Sequence, residues 1–159
     1  LEIANDAGRV AAMKNGEADM AVVFEPFIAQ GVKAGIWQEP FASMPKELGL
    51  FAWTTVNLPQ SLIQSDPELA KAVVAATKKS LDLVFNNDAE MRAIAAEEFP
   101  TLPKDDLDAI LTRARANDMW QQDGAMPEEA WDKTKSIITI SGVLKEDVPY
   151  KDVFDPEFL

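Results

Sequence analysis

The first forty residues contain one short apolar run, which lies between two amphipathic segments. Residues 18–24 are apolar except for Asp19 and rich in valine, and the run is too short for a helix. Such a run is typical of a strand that is covered on both faces. The segment before it ends at Asn15-Gly16, and the segment after it begins at Pro26, which are ordinary helix end and start signals. The order helix, strand, helix predicts a parallel α/β sheet.

A second strand is predicted at residues 48–56. Phe51, Trp53 and Thr55 would share one face of this strand, because side chains alternate between the two faces. From residue 60 onward the pattern becomes helical. Ser65-Asp66-Pro67-Glu68 is a strong start signal, with a capping acid and a proline in the first turn. Further helices are predicted after Asp88, Pro103 and Pro127.

Composition narrows the possible chemistry. The chain has 159 residues, a formal net charge of −12, and neither cysteine nor histidine. The acidic balance argues against nucleic acid as a partner, because nucleic-acid binding needs clustered lysine and arginine. Without cysteine and histidine there is no disulfide, no Ser-His-Asp triad and no typical zinc site. We therefore expect no metal site and no cofactor.

The first candidate site follows the predicted strand at residues 18–24. Phe24, Glu25 and Pro26 stand where a parallel strand would reach the carboxyl edge of the sheet, at which open α/β proteins bind ligands. Glu25 would accept hydrogen bonds from a ligand, and Phe24 would supply an apolar wall. The alternative is that Glu25 is a solvated acid that stabilises a helix start.

The second candidate site lies on the predicted strand at residues 48–56. Trp53 and Thr54 precede the break at Asn57-Leu58-Pro59, where an aromatic ring and a hydroxyl would contact a polar ligand. The alternative places Trp53 in the core, as is usual for a large aromatic residue on a strand.

The motifs, taken together and in order, resemble one family of proteins. They are Gly16-Glu17-Ala18-Asp19, Phe24-Glu25-Pro26-Phe27 and Lys33-Ala34-Gly35, followed by "QSLIQSDPELAKAVVAATKKSL" and by the ending "DGAMPEEAWDKTKSIITISGVLKEDVPYKDVFDPEFL". This series is similar to the periplasmic substrate-binding proteins of the nitrate, sulfonate and taurine type, which include binders of thiamine-precursor pyrimidines. The likeness extends over nearly the whole chain.

The resemblance implies a fold and a division into lobes. The fold would be α/β, of the type II periplasmic-binding-protein kind, with a helix-rich C-terminal portion and an incomplete parallel or mixed sheet. Residues 1–48 would form the end of the second lobe. Residues 49–159 would return to the first lobe and form the C-terminal helices. Phe24, Glu25, Pro26, Trp53 and Thr54 would contact the ligand in an interlobe cleft.

The resemblance also implies a function. The chain would be the C-terminal half of the non-enzymatic solute-binding component of an ABC importer, which delivers a small polar or anionic organic solute to the membrane subunits. It would work in the periplasm, or outside the cell on a lipid anchor, with its signal segment outside residues 1–159. A missing N-terminal half or a second copy of the chain would complete the fold. The alternatives are an enzyme of the same fold acting on a small heterocycle, and an interaction domain without a small ligand.

Overall fold

All regular elements in the described part of the chain are helices. A computed structural model describes residues 1–158 and contains no strand within them. The α-helices are α1 (Asp6–Lys14), α2 (Phe27–Lys33), α3 (Met44–Leu48), α4 (Gln60–Ser65), α5 (Pro67–Asn86), α6 (Asp88–Glu98), α7 (Lys104–Ala116) and α8 (Glu128–Ile140). Short 3-10 helices follow at Tyr150–Asp152 and Pro156–Phe158. In this part of the chain no helix has both the length and the apolar content that a membrane crossing requires.

The predicted α/β fold with a parallel or mixed sheet is therefore wrong. Residues 18–24, predicted as a buried strand, and residues 50–56, predicted as part of a second one, lie outside every helix and form no sheet. The side chains of Met20, Val22, Trp53 and Val56 are 60% to 70% exposed. Apolar, β-branched sequence favours a strand only where a neighbouring backbone provides the ladder. The described residues provide no such neighbour.

The predicted helix boundaries are confirmed where they rest on local signals. The Asp66 carboxylate accepts the Leu69 N–H at 3.0 Å and caps α5, and Pro67 is its first residue. Asn15 ends α1, and Gly16 follows with φ of +71°, a conformation that favours glycine. These signals operate within a few residues of chain, so they do not depend on the tertiary structure.

The first of two compact units comprises residues 1–43 and 92–117. It contains α1, α2, α7 and most of α6, and α2 contacts both α1 and α7. Its buried core is made of small and aliphatic side chains from these helices, namely Ala12, Ala29, Ala95, Leu107 and Leu111. Gly31 is also buried, because the Trp37 ring packs directly on the backbone of α2 at that position.

The second unit comprises residues 44–91 and 118–158, with α3, α4, α5 and α8. Two hydrogen bonds fix the C-terminal segment on it: the Trp131 Nε1–H donates to the Val148 carbonyl at 2.9 Å, and the Tyr150 hydroxyl donates to the Met126 carbonyl at 2.6 Å. Burial of the Tyr150 phenol raises its pKa, and the nearby Glu128 carboxylate adds to the increase. The assignment of residues 1–48 and 49–159 to two lobes stays a prediction.

Gly31→Ala tests the packing of the first unit. In a helix interior alanine is favoured over glycine by about 0.5–1 kcal/mol. Here the added methyl group would overlap the Trp37 ring, whose Nε1–H is held by the Ile28 carbonyl at 3.2 Å. We expect a net loss of about 1–3 kcal/mol in the free energy of unfolding, as for overpacking in a core. Urea denaturation provides the measurement.

A double-mutant cycle supplies the control. In a Trp37→Ala background the methyl group has room, so Gly31→Ala should be neutral or stabilising there. A Gly31→Ala variant as stable as the natural chain in the presence of Trp37 would contradict this packing.

Candidate functional site

The carboxylate of Glu25 lies at the start of α2, and each of its two oxygens accepts a hydrogen bond. One oxygen, Oε2, accepts the Ala29 N–H at 3.1 Å, which caps the helix. The other, Oε1, accepts the Nε–H of Arg113 on α7 at 2.6 Å. Both Glu25 and Arg113 are largely buried, with side-chain exposures of 22% and 19%. The carboxylate therefore joins the first turn of α2 to the last turn of α7.

Arg113 also contacts a second carboxylate. Its Nη1 lies 3.3 Å and 3.4 Å from the two oxygens of Glu39, whose side chain is 64% exposed. Its Nη2 is buried and has no hydrogen-bond partner among residues 1–158. We call Glu25, Glu39 and Arg113 the Arg113 cluster. It brings together two acids and one guanidinium, one of whose nitrogens is buried without a partner among residues 1–158.

A second ion pair joins the same two helices. The Lys33 ammonium lies 2.8 Å from Oδ1 of Asp106, a carboxylate that is only 8% exposed. The hydrogen bond to Asp106 raises the pKa of Lys33, and the Coulomb attraction of the same carboxylate adds to the effect. Together with the Arg113 cluster, this pair fixes α2 on α7 by charge as well as by packing.

Phe24 and Pro26 flank Glu25 in a turn that leads into α2. The Phe24 carbonyl accepts the N–H groups of Phe27 and Ile28, and the peptide bond between Glu25 and Pro26 is cis. The Phe24 ring is 45% exposed, whereas Pro26 is half-buried. A solute at this turn would meet an aromatic ring beside a carboxylate whose two oxygens already have partners.

Trp53 lies on the surface of the second unit, so the alternative that placed it in the core is wrong. The side chain is 64% exposed and stands edge-on to Phe51, with ring centroids 6.1 Å apart. The Thr134 hydroxyl on α8 anchors this segment: it accepts the Ala52 N–H at 2.8 Å and lies 3.2 Å from the Ala52 carbonyl.

The anchored segment forms one wall of a small cleft, which we call the Trp53 cleft. Its volume is about 210 Å³, and it is lined by Phe51, Ala52, Trp53, Thr134, Ile137 and Ile138. No charged residue lines it, and its one hydroxyl is already bonded to Ala52. The cleft is open to solvent, and its volume is enough for one ring or a short aliphatic group to rest against its apolar walls.

The five predicted site residues fall in different units. Phe24, Glu25 and Pro26 belong to the first unit, whereas Trp53 and Thr54 belong to the second. Thr54 is exposed and does not line the Trp53 cleft. Their roles in ligand binding stay predictions. Within residues 1–158 no group of acidic side chains is arranged to hold a metal ion.

Several residues of these sites are not marked in the sequence, and Arg113 and Thr134 are the two that make the long-range contacts. Arg113 is 88 positions from Glu25, and Thr134 is 82 positions from Ala52. Each lies on a helix whose own pattern explains it as an ordinary polar position. No local signal in the sequence marks either one, because the contact depends on how the helices pack.

The chain is similar to one curated protein, "Putative binding protein YtlA" of Bacillus subtilis (strain 168). The two are 25% identical over 158 residues, which cover 99% of this chain and 46% of YtlA. The chain thus spans about half the length of this relative. No family model matches the chain, and no solved structure matches it. The similarity supports a binding protein, and the name of the relative is consistent with a protein that is not an enzyme.

The Arg113 cluster predicts unequal roles for its two acids. Glu25→Ala removes a largely buried, charge-assisted hydrogen bond and a helix cap, so we expect a loss of about 1.5–3 kcal/mol in the free energy of unfolding. Glu39→Ala removes an exposed partner of the same arginine and should cost less than about 1 kcal/mol. Each acid is coupled to Arg113 by a double-mutant cycle, which needs the single variant of the acid, Arg113→Met and the corresponding double variant. Urea denaturation of these variants gives the two coupling energies. Equal coupling of Arg113 to both acids would contradict the geometry.

Proposed function

We propose that the protein is the solute-binding component of an ABC importer. It captures a small organic solute outside the cytoplasmic membrane, either in a periplasm or on a lipid anchor at the cell surface, and delivers it to the membrane subunits of the transporter. The order of motifs from Gly16 to the C-terminal segment supports this family assignment. Binding without chemical conversion follows from the same assignment.

One observation carries the proposal: the similarity to a protein named as a binding protein extends over 99% of the chain. A likeness of this extent is not confined to one motif or one helix. Because the chain spans about half of that relative, we further propose that additional polypeptide, an N-terminal half or a second copy, takes part in binding.

The geometry adds a reason to favour some solutes over others. The Trp53 cleft offers apolar walls and an exposed indole ring, which suit the carbon skeleton of an aromatic carboxylate, a pyrimidine or an alkyl sulfonate. Nitrate has no carbon skeleton to place there. The charged part of such a solute would need donors from elsewhere, since no cation lines the cleft.

Calorimetry on the complete polypeptide encoded by the gene tests the proposal. The probes are taurine, nitrate, benzoate and a hydroxymethylpyrimidine, each followed by chromatography for conversion. We expect saturable binding of at least one carbon-containing probe, with the probe recovered unchanged. Conversion of a probe into product would favour the enzyme alternative, and failure of all four to bind would contradict the proposed solute class.

Tryptophan fluorescence tests whether the solute binds at the Trp53 cleft. The chain has four tryptophans, so a solute that binds at the Trp53 cleft should change the emission of the natural protein, and Trp53→Phe should remove most of that change. Trp120→Phe is the matched control, because Trp120 does not line the cleft. A Trp53→Phe variant that keeps the full response would show that the solute binds away from Trp53.

A further inference from the structure

The guanidinium of Arg113 is only partly used by the acids around it. Its Nε–H donates to Glu25 at 2.6 Å and its Nη1 contacts Glu39, but its Nη2 is buried and has no hydrogen-bond partner among residues 1–158. A guanidinium carries five N–H donors in a planar fork and no acceptor. A buried donor without an acceptor has lost its hydration and gained no bond in return, which costs free energy. An acceptor placed at Nη2 would therefore be favoured.

The contact between Glu39 and Arg113 is loose. Both Glu39 oxygens lie at the same nitrogen, Nη1, at distances of 3.3 Å and 3.4 Å. Charge-assisted N–H···O bonds usually measure about 2.7–2.9 Å, and a bidentate carboxylate places one oxygen on each of two nitrogens. The Glu39 side chain is 64% exposed, so water competes for it. Glu39 thus stands where a carboxylate ligand could bind, without making the two short bonds that such a ligand makes.

Glu25 fixes the guanidinium from the other side. Its Oε1 accepts the Arg113 Nε–H and its Oε2 accepts the Ala29 N–H at 3.1 Å, so both carboxylate oxygens are held. The side chains of Glu25 and Arg113 are largely buried, whereas Glu39 is exposed, so the side of the guanidinium that Glu39 contacts is the side that borders solvent. A donor that is fixed before binding loses little conformational entropy when a ligand arrives. Glu25 acts in this arrangement as a positioning residue for Arg113.

We propose that Arg113 binds the carboxylate group of a small organic solute, and that Glu39 is a built-in competitor which the solute displaces. One oxygen of the solute bonds to Nη1 and the other to Nη2, in the bidentate geometry that a guanidinium favours. The Glu39 side chain turns into water. One carboxylate replaces another, so the exchange adds no negative charge at the guanidinium, which is important in a chain with a net charge of −12. This inference rests on the proposed function and names the polar group of its solute.

Removal of the competitor tests the proposal. The probe is benzoate, titrated by calorimetry into the complete polypeptide that the gene encodes. We expect Glu39→Ala to lower the Kd for benzoate by about twofold to fivefold, because the contact that the ligand must displace is a weak, exposed ion pair. Loss of folding cannot produce a gain in affinity, so this readout separates binding from stability.

Glu97→Ala is the matched control for charge. Glu97 is exposed on α6 in the same unit, and its carboxylate is not among the partners of Arg113. It removes the same charge as Glu39→Ala and should change the Kd for benzoate less. An unchanged or higher Kd in Glu39→Ala, or a decrease no larger than in Glu97→Ala, would overturn the proposal.

Two further measurements identify the recognised group. Arg113→Lys keeps the positive charge and removes the fork, so the affinity for benzoate should fall by about tenfold or more. Benzamide has the same ring but no charge and one acceptor oxygen, so it should bind more weakly than benzoate and not respond to Glu39→Ala. Equal affinities for benzamide and benzoate would show that the ring is recognised rather than the carboxylate, and would overturn the proposal.

The failure of this inference can be told apart from the failure of the proposed function. Absence of benzoate binding, with taurine or the pyrimidine bound and recovered unchanged, would overturn the carboxylate site and leave the proposed function in place. Benzoate binding that tightens in Glu39→Ala and is followed by conversion into product would sustain the carboxylate site and contradict the proposed function.

Discussion

Every peptide group in residues 1–158 needs a hydrogen-bond partner, and a helix supplies that partner from within four residues of the same chain. A strand obtains its partners only from a neighbouring strand. This constraint accounts for the architecture, in which all regular elements of the described residues are helices. It also accounts for the two stretches in which large apolar side chains remain on the surface, at residues 18–24 and 50–56.

The charged contacts of the first unit build on this helical arrangement. Helices α2 and α7 each satisfy their own backbone, so their relative position is set by packing and by side chains. Glu25 and Arg113 contribute a largely buried contact at one end of α7, and Lys33 and Asp106 contribute another near its start. In a chain with a net charge of −12, each such cation offsets a carboxylate that would otherwise repel its neighbours. The exposed Glu39 adds less, because water screens it.

The two candidate sites differ in the chemistry that they offer to a ligand. The Arg113 cluster is polar, and its acids are already hydrogen-bonded within the first unit. The Trp53 cleft is apolar, with its one hydroxyl committed to Ala52. Each of the two sites belongs to a different compact unit, so its chemistry is that of its own unit.

The sequence by itself determined the features that depend on a few neighbouring residues. The cap at Asp66, the end of α1 at Asn15 and the start of α2 after Pro26 were all predictable, because the donor, the acceptor and the required backbone angles lie within one turn. The ligand-binding roles of Phe24, Glu25 and Trp53 were inferred from their places at predicted strands that do not form, and these roles stay predictions. Only the tertiary structure decided that the valine-rich run at residues 18–24 is not a strand, since that depends on whether another backbone lies beside it. It likewise decided that Arg113 pairs with Glu25 across 88 positions, because such a contact arises from helix packing and leaves no local pattern in the sequence.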